Sequence, residues 1–467
     1  MQAYACEHTT MTTIALAQTP LQETPITQFQ VRRAHLAAQM QAGSIAIIPS
    51  APEQPRNADA HFPYRADSYF YYLTGFEEPK AWLLLTADGQ ATLLCQSKNL
   101  EREIWDGYRL GPQAAPQALG LDAAFAVEEL DARLPELLQN RSALYYPFTR
   151  HAALAAQIDH WLAQVKSRAR AGVTCPDQLH DVCSLLDEMR LVKDAYEIAH
   201  MRRAGAISAQ AHIRAMQRSA QMLQRQERVC EYHLEAELLH EFRQHGSESP
   251  AYTSIVAAGA NACVLHYRAG NAAVQSGDLV LIDAGCELRN YASDITRTFP
   301  ANGQFTVAQR RIYDIVLAAH TAAVAAAKPG ARFNDVHEAA LAVLVQGLFD
   351  VGILRAAQHG SVADALASKA YMPYYMHRTS HWLGLDVHDV GRYSEGGDPS
   401  ASRILRAGMV LTIEPGLYLR PAPEVPPEFH HIGIRIEDDA LITAEGCEIY
   451  TSGVPVEANE IERLMAA

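Results

Sequence analysis

Five side chains in the C-terminal half of the sequence have the types and contexts that metal-assisted hydrolysis requires. They are Asp283 in L-V-L-I-D-A-G, Asp294 in S-D-I-T-R-T-F, His381 in S-H-W-L-G-L-D-V-H-D, Glu414 in V-L-T-I-E-P-G and Glu437 in G-I-R-I-E-D-D. Each sits at the end of an apolar run or in a turn beside one. A carboxylate there is costly to bury without a metal or a counter-charge. Four carboxylates and one imidazole, with no thiolate, form a donor set for divalent cations that activate water. Charge favours two ions over one: four carboxylates carry about −4 and two ions about +4, whereas one ion leaves a surplus of roughly −2. Paired ions stand about 3.5–4 Å apart, a separation that bridging carboxylates permit.

The elements that must hold these groups can be read around them. Leu279–Ile282 is a continuous apolar run after the Gly277-Asp278 turn, so a buried strand ends at Asp283. Tyr291–Phe299 reads as the next strand. A hairpin whose turn is centred between Leu288 and Arg289 sets Asp283 opposite Asp294, with Cβ atoms about 4.5–5.5 Å apart. Met409–Ile413 is another buried strand, ending at Glu414, and Pro415-Gly416 then turns the chain. In Ile432–Glu437, alternation puts Ile434 and Ile436 on one face and Arg435 and Glu437 on the other. Arg435 is thereby placed to orient Glu437. His377 and His381, four apart, share a face in a helix or in a strand.

Around this core the chain reads as two domains. Residues 1–26 form a loose extension rich in Thr and Gln, without a signal-peptide core. Residues 27–190 read as an α/β domain. Its strands are Ser44–Pro49, Ala81–Thr86, Ala91–Cys95, Leu144–Pro147 and an aromatic one over Asp67–Phe76, with a helical pattern over His151–Lys166. Residues 191–467 read as α+β, a curved antiparallel sheet covered by helices. A long amphipathic helix starts at Asp194, and others span Glu231–His245, Val307–Ala327 and Asn334–Gly352.

A net charge of −14 gives no electrostatic basis for binding nucleic acid or an anionic membrane. The longest apolar stretches, such as Leu317–Ala327, are too short and interrupted to span a bilayer. Eight scattered cysteines without a C-x-x-C pair point to a reduced, cytoplasmic protein.

With these residues in view, the chain resembles the aminopeptidase P family (Xaa-Pro aminopeptidases), metallopeptidases of pita-bread fold. The segments that carry the resemblance are I-V-A-A-G-A-N-A-C-V-L-H-Y, Y-A-S-D-I-T-R-T-F-P, Y-Y-M-H-R-T-S-H-W-L-G-L-D-V-H-D-V-G, G-M-V-L-T-I-E-P-G-L-Y and H-I-G-I-R-I-E-D-D. It is dense over residues 190–460 and looser over 27–190, where S-Y-F-Y-Y-L-T-G-F and E-I-W-D-G-Y-R-L-G match. The resemblance implies a site for two divalent ions, manganese above all. Asp283 would bind one, Asp294 and Glu437 would bridge both, and His381 and Glu414 would complete the second. It further implies that a hydroxide activated between the ions attacks the Xaa-Pro bond. Glu414 would accept the proton, and Arg435 would support the ligands. His266 and His388 would contact the substrate, with His377 lining the proline pocket and Tyr418 and Trp105 as further substrate contacts. Peptides with proline in second place are the implied partners, and the implied assembly is a homodimer or homotetramer, with Trp105 and Arg168 reaching a neighbour.

Two segments depart from the family pattern. Ser219–Val229 is longer, polar and lacks the usual Pro-Gly turn, so a surface insertion is expected there, and Arg392–Arg403 also reads as lengthened. Prolidase, a dipeptidase with the same fold and ligands, is the nearest rival reading. A metal-free protein-binding pita-bread module is a remote one, because all five ligands are present.

Overall fold

The structure is a computed structural model that describes residues 25–398 and 401–466. Nearly all of the expected N-terminal extension therefore lies outside the described residues. The chain divides into two compact units, one ending at Leu191 and the other beginning at Val192.

The first unit is built on a six-stranded mixed sheet. After helix α1 (Ile26–Gln39) come β1 (Ile45–Pro49), helix α2 (Ser68–Thr74), β2 (Trp82–Thr86), β3 (Ala91–Cys95), helix α3 (Leu100–Asp106), β4 (Ala123–Ala126), β5 (Ala143–Tyr146), helix α4 (Leu154–Ser167) and β6 (Gln178–Asp181). The strand order is β4-β3-β2-β1-β5-β6. The neighbours β1–β2 and β2–β3 are antiparallel and the other pairs parallel. Ile45, Ile47, Leu84, Leu94 and Leu144 pack under Leu154, Ile158 and Trp161 of α4 as one apolar core.

One expectation fails in this unit: Asp67–Phe76 is not a strand. Asp67 caps α2, its carboxylate accepting the N–H groups of Tyr69 at 2.9 Å and Phe70 at 3.2 Å, and Gly75 closes the helix in the left-handed region at φ 63°. Every residue from Ser68 to Thr74 is buried. A helix that is apolar all round carries no 3.6-residue stripe, and its Tyr and Phe content then reads as strand propensity.

The second unit opens with α5 (Ala195–Gln224), capped by Asp194 and Glu197 in a capping box. It continues through α6 (Glu231–Gln244), β7 (Ile255–Ala258), β8 (Leu279–Asp283), β9 (Cys286–Leu288), β10 (Tyr291–Ala292), β11 (Thr296–Pro300), α7 (Val307–Ala326) and α8 (Phe333–Asp350). Strands β12 (Val410–Ile413), β13 (Gly416–Leu419), β14 (Ile432–Arg435), β15 (Asp438–Ile442) and β16 (Cys447–Ile449) follow. The described pairings among these strands are all antiparallel: β7-β8-β11, β9-β10, β12-β15-β16 and β13-β14. Bridges at Thr296–Glu437 and Trp382–Leu411 join the pieces.

The expected surface insertion at Ser219–Val229 is largely an extension of α5 through Gln224, with Ser219, Ala220 and Met222 buried. With no Gly or Pro and with Ala, Met, Leu and Gln at its start, this stretch suits a helix better than a loop.

Candidate metal centre and active site

Strand β8 delivers Asp283 at its last position, where its partner on β11 is Thr296. The expected pairing of Asp283 with Asp294 is therefore corrected. The hairpin turns at Arg289-Asn290, both at positive φ, one residue later than the apolar pattern suggested. Asp294 lies in a break between β10 and β11, where a Cβ on Gly285 would run into the Ser293 carbonyl, so only glycine fits opposite. The two carboxylates nonetheless converge. The Tyr252 hydroxyl donates to Asp283 Oδ1 at 2.6 Å and also reaches Asp294 Oδ1.

Glu414 directly follows the last residue of β12, and the loop preceding that strand runs alongside. His381 N–H donates to Thr412 Oγ1 at 3.1 Å, and Glu414 N–H to the Thr379 carbonyl at 2.8 Å. His381 Nδ1 lies 2.9 Å from the Trp382 carbonyl, which holds the ring so that Nε2 faces Asp294 at 3.5 Å and Glu414 at 3.6 Å. This is the arrangement of a metal-ligating histidine whose tautomer is fixed from behind. Glu437 follows β14, bridged to Thr296, whose hydroxyl donates to Glu437 Oε2 at 2.7 Å. Asp294, His381 and Glu437 each offer a ligand atom within 4.8 Å of the others.

Arg435 supports a different residue from the one expected. Its Nη2 donates to Asp283 Oδ2 at 2.5 Å, Nη1 to Tyr418 Oη at 2.9 Å and Nε to Thr296 Oγ1 at 3.0 Å. It orients Asp283 directly and Glu437 only through Thr296, because β14 places its side chain over the end of β8. His377 closes this chain, with Nε2 2.8 Å from Tyr418 Oη.

Asp283, Asp294, His377, His381, Glu414, Arg435 and Glu437 line one cavity of about 750 Å³, together with His266, His388, Leu265, Val387, Phe333 and Tyr393, while Tyr418, expected as a substrate contact, is wholly buried behind that lining with Thr296 and Thr412. His388 stands edge-on to His381, ring centres 4.4 Å apart. Its loop is pinned by an ion pair between Lys193 and Asp389, 2.9 Å long and with both side chains 1% exposed. Trp105 and Arg168 belong to the first unit and not to this wall. Trp105 lies on α3, 79% exposed.

The electrostatics test whether cations fit. Burial, then repulsion from Asp294, Glu414 and Asp283, drives Glu437 well above the usual carboxylate range. Burial pushes Glu414 up to about 7, although His381 and Arg435 draw it down, and burial raises Asp294 as well. Burial would lower His381, but Asp294 and Glu414 outweigh it and raise the imidazole to about 9. Burial lowers His377 to about 3 and also lowers His388, the latter beside His381 and His266. Four carboxylates beside one buried arginine, Arg435, and one raised imidazole, His381, call for further positive charge among them, and an oxygen-rich, thiolate-free set suits divalent ions. The residues fit the metals.

Comparison with known proteins agrees with this geometry. The model of Metallopeptidase family M24 matches residues 199–444, and that of the Aminopeptidase P N-terminal domain matches residues 29–145. The chain belongs to metallopeptidase family M24. Among curated proteins it is 45% identical to the Xaa-Pro aminopeptidase of Escherichia coli over 444 residues, covering 94% of this chain and 98% of that one. It is 32% identical to human Xaa-Pro aminopeptidase 3, covering 91% and 82%. Among solved structures it is similar to Pseudomonas aeruginosa aminopeptidase PepP, with TM-score 0.90, 46% identity and coverage of 95% and 98%. It is also similar to zinc-substituted E. coli aminopeptidase P in complex with product, with TM-score 0.89, 45% identity and coverage of 95% and 99%.

The sequence reading of this M24 peptidase missed Tyr252, Thr296 and Thr412, each hydrogen-bonded to a carboxylate or histidine of the site. Thr296 had a usable signal, since it lies two residues beyond Asp294 on a strand that begins there. Tyr252 had none, because the chain that brings it to Asp283 is irregular.

Proposed function

We propose that this chain is a metal-dependent Xaa-Pro aminopeptidase, which removes the first residue from peptides with proline in second place. Asp283, Asp294, His381, Glu414 and Glu437 hold two divalent ions, with manganese the ion best suited to so many carboxylate oxygens. The observation that carries the reading is the meeting of these five residues in one pocket of a chain alike over almost its whole length to Xaa-Pro aminopeptidases.

When bound, the ions supply Lewis acidity for the scissile carbonyl and make water a nucleophile near neutral pH. The chain's own residues do the rest. Glu414, whose Oε1 faces His381, takes the proton released by the attacking water. Arg435 and Tyr418 fix Asp283 and His377 in a water-poor wall. His266 and His388 face the peptide from separate loops and hold its carbonyls, while Leu265 and Val387 exclude water from the proline ring. A prolyl nitrogen carries no N–H, so recognition has to come from shape and from the carbonyl side.

The reading extends to a homodimer or homotetramer in the cytoplasm. Exposed Leu100, Ile104, Trp105 and Tyr108 along and just beyond α3 support the first, and seven described cysteines with no disulfide support the second. Product analysis of the manganese-loaded protein on a Xaa-Pro-Pro tripeptide and on the matching Xaa-Pro dipeptide tests the activity. Release of the free first residue from the tripeptide, with the dipeptide slow, is expected; preference for the dipeptide would make it a prolidase.

A further inference from the structure

Arg268 and Arg378 are the two exposed cations in the wall of the cavity; the third arginine, Arg435, is 4% exposed and tied to Asp283. Among the described residues neither Arg268 nor Arg378 pairs with a carboxylate, in a chain whose acidic groups outnumber its basic ones by 14. Each follows a histidine of the site closely, Arg268 two residues after His266 and Arg378 directly after His377.

Both are held in place. The loop that carries Arg268 is fastened from behind by Glu231 at the start of α6, a fully buried carboxylate that accepts four hydrogen bonds. Its donors are Ala258 N–H at 3.0 Å, Asn261 Nδ2 at 2.9 Å, Tyr267 Oη at 2.9 Å and Gly270 N–H at 3.2 Å. The last two flank Arg268 and fix its backbone, so that only the side chain stays free. Arg378 donates from Nη2 to Asn334 Oδ1 on α8 at 2.9 Å, a neutral partner that aims the guanidinium without neutralising it. Two unneutralised guanidiniums at the rim of a pocket floored by carboxylates make a place for a negative group on whatever extends out of that pocket.

We propose that Arg268 and Arg378 form a subsite for a carboxylate carried by the peptide beyond its proline, either an acidic side chain or a free C-terminus at the third residue. The inference rests on the Xaa-Pro aminopeptidase reading. Only one residue precedes the scissile bond, so the remainder of the peptide leaves by the rim. A third residue lies about 7 Å along the chain from the cleaved bond. At that range a guanidinium–carboxylate attraction survives in moderate salt and fades as ionic strength rises.

The experiment compares kcat/KM for four peptides: Ala-Pro-Glu-amide, Ala-Pro-Gln-amide, Ala-Pro-Gln with a free carboxylate, and Glu-Pro-Gln-amide. The wild-type protein should prefer the first and third over the second by about three- to tenfold, the scale of two solvent-exposed ion pairs. The preference should reside in KM and shrink in high salt. The ratio should fall near one in the Arg268→Gln, Arg378→Gln double variant and invert in Arg378→Glu. The first and third peptides also tell a side-chain carboxylate from a terminal one. Equal rates on all peptides, a preference that survives the double variant, or a preference confined to Glu-Pro-Gln-amide would each overturn the subsite. Failure to cleave any of the four would instead overturn the Xaa-Pro reading beneath it.

Discussion

Each nitrogen of the Arg435 guanidinium meets a different support of the site, namely Asp283, Tyr418 and Thr296, and the side chain is almost wholly buried. A lysine cannot make that three-way contact: its ammonium is a single point with no planar fork. Arg435→Lys should therefore weaken divalent-ion binding by about 10- to 100-fold, as loss of a ligand's hydrogen-bonding partner does. Chelator competition followed by metal analysis reads this directly, and an unchanged affinity would show that Asp283 holds its position unaided. At this scale the sequence was informative about identity and poor about partnership. The five ligand candidates and the three histidines lie in one cavity. Arg435, however, supports Asp283 directly and Glu437 only through Thr296, because alternation within one strand says which face a side chain takes but not which neighbouring strand lies over it.

Helix α5 shows how an element that contributes no side chain to the pocket lining still shapes it. His212, wholly buried, lies with Nε2 2.9 Å from the carbonyl of Ala284, the residue after Asp283. Burial lowers this imidazole from 6.5 to about 4. The folded state thus binds the proton more weakly than the unfolded chain does. The resulting stability is fully present above pH about 6.5 and is lost as pH falls towards about 4, a loss on the order of 3 kcal/mol. Denaturant unfolding of metal-stripped protein across that window should show the decline. His212→Gln, which keeps a donor but does not titrate, should flatten it; an unchanged slope in that variant would assign the decline to other groups. Legibility also varies by element. The long amphipathic helices are readable because one face is apolar and the other polar, whereas α2 reads as a strand because all its faces are buried. The hairpin register slipped because the apolar run fixes which residues form β8 but not where Arg289 and Asn290 turn the chain.

At the scale of the whole molecule, two features govern behaviour in solution. No described helix is long and apolar enough to cross a membrane. Leu100, Ile104, Trp105 and Tyr108 are all more than 70% exposed within nine residues of one another, a concentration of apolar surface that water does not favour. Replacing Ile104 and Trp105 together by glutamate should shift sedimentation towards a smaller species if this patch is where copies of the chain meet; unchanged mass would exclude α3 from the interface. The ions are the second feature. A ligand that binds only the folded chain stabilises it by about 2.7 kcal/mol at one hundred times its dissociation constant. Manganese should therefore raise the melting temperature of the wild-type protein, and chelation should reverse the rise. Asp294→Asn, lacking one charge of the site, should respond far less while remaining folded.

Calorimetric titration of manganese into the metal-stripped protein, with hydrolysis of a Xaa-Pro-Pro tripeptide followed in parallel, tests whether two ions in this site drive the cleavage. Two ions should bind per chain, with turnover appearing as the sites fill and neither full binding nor turnover restored in Asp294→Asn. Full hydrolysis with a single ion bound, or in the metal-stripped protein, would contradict it.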